Sequence, residues 1–268
     1  MRRGLLAVGL AMGALLVLLA IVGPTLAPYD PTASVAPTLA EPAPPSARFW
    51  LGTDDLGRDV LSRLLYGARI SLLVGLVAMA VTMVIGTAVG LAAGYFGGAV
   101  DTLLMRVTDV MLAFPGLLLA VALVAVMRPN VWTIFVVIGL VSWTGVARVV
   151  RSEALSLRER DFVVAARAMG AGHGRILVRH VLPNVAPTLI VIAALSTSGT
   201  ILLDAGLSFL GIGVPPPTPT WGRMIQEAST YYRVAPWLMA FPGLAVLYAV
   251  LTFNLIAYGL TDRARGVR

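Results

Sequence analysis

The chain has 268 residues, of which 58% are hydrophobic and only 12% charged, and its mean hydropathy is +0.89. A soluble domain of this size needs far more charge on its surface, so a bilayer is the expected solvent. The sequence holds no cysteine, which excludes disulfides and thiolate chemistry, and all 20 basic residues are arginine, so the Gly-Lys-Ser/Thr phosphate loop is excluded too.

Six apolar segments are expected to cross the membrane, at 4–26, 70–97, 111–127, 131–149, 185–211 and 236–260. The first follows Arg2 and Arg3 and is longer than the apolar core of a secretory signal, so an uncleaved helix is expected over residues 1–27. An extracytoplasmic unit, 28–69, follows. Its seven prolines between Pro24 and Pro45 predict an extended arm. The stretch LGTDDLGRDVLSRLLYGARISL (Leu51 to Leu72) then predicts a short interfacial helix capped by Thr53, with Leu56, Val60 and Leu64 on one face. Asp54, Asp55 and Asp59 lack calcium-loop spacing and fit a helix start better.

A core of five spans occupies 70–260. In the second span Gly86, Gly90, Gly94 and Gly98 recur every four residues, which leaves one side bare for close approach of another helix. Pro115 and Pro242 predict kinks in the third and sixth spans. The fifth span carries Ser196, Thr200, Asp204 and Ser208 at four-residue spacing, a polar stripe along one helix side. Such a stripe is either a wall of a translocation pathway or a set of hydrogen bonds to a neighbouring helix. Asp204 is the one acid well inside an apolar run, and a charge there costs roughly 2.5–3.5 kcal/mol on insertion scales. Asn254 in the last span is a weaker candidate for such a wall, and a packing hydrogen bond fits it better. The tail is 261–268.

With six spans both termini share a side. That side receives thirteen arginines: Arg2, Arg3, Arg106, Arg148, Arg151, Arg158, Arg160, Arg167, Arg175, Arg179, Arg263, Arg265 and Arg268. The other side receives seven: Arg48, Arg58, Arg63, Arg69, Arg128, Arg223 and Arg233. The bias places both termini in the cytoplasm of a bacterial inner membrane, and it accounts for the net charge of +7 without nucleic acid.

The cytoplasmic loop 151–184 is long for a connection. Residues 153–169 favour helix, Gly170, Gly172 and Gly174 break it, and Ile176 to Leu182 resume it before Pro183 at the entry to span five. Two short helices with a hinge, carrying small Ala165 and Ala166, make a docking surface. Here the sequence resembles a known family. Ala165-Ala166, Gly170 and Leu182-Pro183 are similar to the EAA loop of permease subunits in bacterial ATP-binding-cassette importers. The Leu51–Leu72 stretch, AFPGLLLA (Ala113 to Ala120) and LSFLGIGVPPPTPTWGRMI (Leu207 to Ile225) resemble the dipeptide and oligopeptide branch, and the likeness runs from about residue 50 to 255.

The resemblance implies an all-helical permease of the type I importer fold. Its loop would act as a coupling helix seated on an ATPase subunit. It implies a second permease chain, two ATPase subunits or domains holding ATP and magnesium, and an extracytoplasmic binding protein. No cofactor or metal is expected in this chain. Peptides are the expected cargo; related permeases carry nickel complexes, glutathione or haem. The sequence departs from the family pattern at Val164, where the namesake glutamate stands, at Asp204, where a glutamate is common, and at Ala257-Tyr258, often Gly-Asp.

Two rival readings fit the sequence less well. Gly206-Leu207-Ser208 is similar to part of an intramembrane serine protease site, but Phe209 replaces a glycine and both histidines, His173 and His180, lie in the loop. Those histidines are seven apart with no adjacent acid, a poor metal site, and surface or phosphate-facing roles fit them better. A proton-driven carrier using Asp204 is the other alternative; it leaves the basic loop without a role, and no inverted repeat is visible.

Overall fold

The computed structural model describes residues 2–36, 41–127 and 130–265, and side chains from Gly4 to Thr261 within that range. Pro37, Arg128 and Arg268 lie outside the described residues. The helices are α1 (Arg2–Leu26), α2 (Val60–Phe96), α3 (Gly98–Leu112), α4 (Gly116–Val126), α5 (Val131–Leu157), α6 (Asp161–Ala168), α7 (His173–Ile176), α8 (Leu182–Phe209), α9 (Trp221–Ala228) and α10 (Trp237–Arg265). Five stretches are long and apolar enough to cross a membrane, and the pair α3–α4 makes a sixth if counted as one bent span.

The spans are mostly apolar on their outer as well as their inner sides, as expected where lipid replaces water outside the bundle. Shape therefore comes from small residues and termini. A methyl placed on Gly86 would lie 2.6 Å from Val146 Cβ; one on Gly90, 2.6 Å from the Ala147 oxygen; one on Gly94, 2.7 Å from Ala154 Cβ. From the other helix, a methyl on Gly139 would sit 2.5 Å from Val81 Cβ. The paired numbers rise together, so α2 and α5 run parallel along a seam of glycines. Gly98 is not part of that seam. The helix ends at Phe96, Gly97 (φ +66°) turns the chain, and Gly98 (φ +54°) opens α3 into free space. α1 lies antiparallel on α10, with Gly9 against Ile256 and Gly259 against Leu6.

Three expected elements are corrected. No separate interfacial helix forms over 51–72. Thr53 instead bridges to Asp59, the Asp59 carboxylate caps α2 by accepting from the Ser62 N–H at 2.8 Å, and the span begins at Val60. The expected third span, 111–127, holds only the end of α3 and then α4; the crossing would need the pair α3–α4, which bends by 88° between Leu112 and Gly116. Pro115 has no N–H to give and biases Phe114 out of the helical region, so the break is sharper than a kink. Finally, the expected tail at 261 still belongs to α10, which runs to Arg265.

The loop ahead of the fifth span is also more continuous than expected. Residues His173–Phe209 follow one helical path. A single π-helical turn (Leu177–Val181), in which the Leu182 N–H reaches the Leu177 oxygen, precedes Pro183. The wider turn accommodates a ring that an α-helical carbonyl would meet, and Asn184 Nδ2 donates to the His180 oxygen at 2.7 Å.

Candidate coupling segment and buried polar groups

α6 follows α5 after three residues. It ends in a Schellman turn: the Gly170 N–H donates to the Arg167 oxygen and the Ala171 N–H to the Ala166 oxygen, both at 3.0 Å, with Gly170 at φ +82°. The helix is two-faced. Val163 and Ala166 are buried in a cluster with Tyr95, Ala154, Ile176 and Val181. Ala165 and Gly170 are exposed, and so are Phe162 (41%), Val164 (51%) and Met169 (82%). Leu182 is half-buried and Pro183 exposed in the first turn of α8. The five residues of the predicted loop signature thus divide: Ala166 anchors, Gly170 turns the chain, Ala165 belongs to the outer face, and Leu182-Pro183 start a helix behind it.

Tyr95, in the last turn of α2, is the anchor that sequence reasoning missed. It is 4% exposed. Its hydroxyl hydrogen-bonds His173 Nδ1 at 3.0 Å, its ring meets His173 and Phe96 edge-on, and the Arg167 guanidinium lies over its face at 5.7 Å. His173 is exposed at the surface and also ties the loop to α2. Val164, where a glutamate was the family expectation, offers an apolar surface. Glu159 is 75% exposed at its side chain and pairs with Arg158 at 3.4 Å. At this arginine-rich end Arg151 also pairs with Asp101, and Arg148 with Asp109 at 2.7 Å.

The stripe of the fifth span turns inward. Thr200 Oγ1 donates to the Gly75 oxygen of α2 at 2.9 Å, and Thr200, Asp204 and Ser208 are each 2% exposed. Asp204 Oδ1 and Ser208 Oγ have no hydrogen-bond partner among the described residues. Gly213 and Gly222 are pressed against Ser208. Of the four, Ser196 alone keeps part of its surface open. Within this chain the stripe is a packing face toward α2 and the α8–α9 loop. Asn254 Nδ2 donates to Val250 of its own helix at 2.8 Å.

At the opposite end lies an ion cluster that no local pattern announces. Asp54 accepts from the N–H groups of Leu56 (3.0 Å) and Arg58 (2.9 Å), and its other oxygen meets Arg58 Nε at 2.7 Å and Arg63 Nε at 3.4 Å. Glu227 of α9 receives Arg58 (3.2 Å), Arg63 (2.7 Å) and Arg223 (2.9 Å). Gly52 (φ +80°) and Gly57 (φ +69°) make the turns that fold Asp54 over the guanidinium groups. Arg63 is 1% exposed, so this is a buried network rather than a polar helix face. Burial pushes the Asp55 carboxyl up, aided by the neighbouring Asp54 charge. Among the described residues no cluster of acids or histidines fits a metal ion.

Five apolar stretches long enough to cross a membrane, a bent sixth pair, a glycine seam and an exposed-faced helix packed against the ends of two spans define a helical membrane protein. The chain belongs to the family of binding-protein-dependent transport system inner membrane components, whose model matches residues 86–265; residues 1–45 match the N-terminal TM domain of oligopeptide transport permease C. The dipeptide transport system permease protein DppC of Alkalihalophilus pseudofirmus is 45% identical over 218 residues, covering 81% of this chain and 72% of that protein. The di/tripeptide permease DppC of Pseudomonas aeruginosa is 45% identical over 260 residues (95% and 85%), and the nickel permease NikC of Escherichia coli 41% over 249 (93% and 89%). The MetNI methionine transporter in an inward-facing conformation shares the fold at a TM-score of 0.61 and 19% identity, over 77% of this chain and 96% of that one.

Proposed function

We propose that this chain is one of two permease subunits of an ATP-driven peptide importer. It lies in the inner membrane with both termini and α6 on the cytoplasmic side. The second permease completes the pathway, two ATPase subunits or domains hold ATP and magnesium, and an extracytoplasmic protein delivers the cargo. The observation that carries this reading is the outer face of α6. Phe162 and Val164 stand exposed on a helix, with exposed Met169 just past its end, and the helix's other face is fixed to α2, α5 and α7. An apolar patch held this firmly beside a row of arginines fits a protein groove better than water. Peptides are the cargo favoured by the relatives' names, though a nickel relative is nearly as similar.

The test uses the absence of cysteine. A single Val164→Cys in the assembled complex is expected to cross-link to an ATPase subunit, and Phe162→Glu to release the ATPases from the membrane. A Val164→Cys that reacts with nothing, or membrane-bound ATPase in the Phe162→Glu complex, would refute the docking. Mass spectrometry of ligand retained by the co-purified binding protein identifies the cargo.

A further inference from the structure

Two spans, α2 and α5, contain no proline, whereas α1, α8 and α10 each hold at least one and α3–α4 is broken at another. These two are also the pair joined by the glycine seam. α2 has 37 residues, so it is roughly 55 Å long. Both of its ends are fastened to short helices, α6 at one and α9 at the other.

At the arginine-rich end the fastening is Tyr95, held by His173, Arg167 and the buried side of α6. At the other end it is α9. Trp221 opens that helix by donating its N–H to Ser71 Oγ (3.0 Å) and its indole Nε1–H to the Leu64 oxygen (3.1 Å). Gly67 leaves room for the indole, since a methyl there would be 3.2 Å from its Cδ1. Glu227, near the end of α9, then receives Arg63 at 2.7 Å. Arg63 Nη1 is buried without a partner, beside a water-sized cavity lined by Asp54, Arg63, Met224 and Glu227. The joint at α9 is thus tight in its main contacts and incompletely bonded around Arg63.

We infer that α2, stiffened by α5, is the connecting rod that carries displacement of α6 to α9 on the far side of the membrane, with Tyr95 and Glu227 as its two positioning residues. The inference rests on the docking of α6 to an ATPase. Rigid packing transmits displacement where a proline hinge would absorb it. The about 48 Å between Arg63 and Tyr95 on one unbroken helix therefore lets a push at α6 reach α9 without passing through the bent spans.

The complex with its second permease, ATPase subunits and binding protein, in proteoliposomes and with partner cysteines replaced, carries a fluorophore on Thr230→Cys, an exposed site just past α9. ATP is expected to change its signal. Tyr95→Leu removes the hydroxyl and ring and should abolish that change, with peptide moved per ATP falling about tenfold. Tyr95→Phe keeps the ring and folding and should lower it about threefold, the worth of one hydrogen bond. In both, cross-linking from Val164→Cys should persist. Combining Tyr95→Leu with Glu227→Gln should be no worse than Tyr95→Leu alone, because a rod already cut at one end loses nothing more at the other. An undiminished signal change in Tyr95→Leu, no ATP-driven change in the parent, or multiplying defects in the double variant would each overturn the rod. Failure of the Val164→Cys cross-link in the parent would instead overturn the docking beneath it.

Discussion

Replacing Gly90 with alanine asks whether the α2–α5 seam is set by missing side chains. Two effects oppose each other. Alanine is favoured over glycine in a helix interior by about 1 kcal/mol. The added methyl, however, would stand 2.6 Å from the Ala147 oxygen and 2.7 Å from Val150 Cβ, with Val150 fully buried. One obstacle is backbone and the other a branched side chain at its root, so neither gives way by rotation. The helices must part, and overpacking of this kind costs about 1–3 kcal/mol. Gly90→Ala should therefore lose about 1 kcal/mol on balance. Gly199→Ala is the control, because nothing lies within 4 Å of the methyl it adds to α8; it should be neutral or gain up to about 1 kcal/mol. Equilibrium unfolding of the chain in mixed micelles measures both. Equal stability of the two variants would refute the seam.

Gly170→Val adds no clash, since its surroundings are open, but it forces a branched residue to φ +82° at a strain of about 1–2 kcal/mol. Membrane insertion should be normal, while ATP hydrolysed per peptide imported should rise; tight coupling in that variant would contradict the role given to the turn. Asp204→Asn keeps shape and removes a charge that has no partner at Oδ1, so stability should hold or improve and uptake persist. Loss of uptake by a stably assembled Asp204→Asn complex would show that the carboxyl works as an acid. Asp55, raised by burial, binds its proton more tightly in the folded chain. Its contribution to stability is complete below the ordinary carboxylate range and lost as pH rises through the raised value. Asp55→Asn should thus melt higher than the parent at neutral pH and lose that advantage in acid; an advantage equal at both would count against the shift.

The sequence by itself determined the lipid-facing nature of the chain, the positions of most spans, the turn at Gly170 and the family. These follow from composition, from hydropathy over about 20 residues, and from local motifs whose physics lies within a few residues. It placed Gly86, Gly90 and Gly94 on one bare side because helical period alone does that. It did not reveal which helix they meet, nor that the Leu51–Leu72 stretch folds as a turn before a helix starting at Val60. There the choice depends on Asp54 and Asp59 finding Arg58, Arg63 and Ser62. Only the tertiary structure joined Arg63 to Glu227, 164 residues away, and Tyr95 to His173, 78 residues away. It also turned Asp204 inward instead of toward an open face. Contacts between distant residues carry no local signature, because in lipid the outward and inward sides of a span are both largely apolar, and bare glycines and buried polar pairs settle which faces meet.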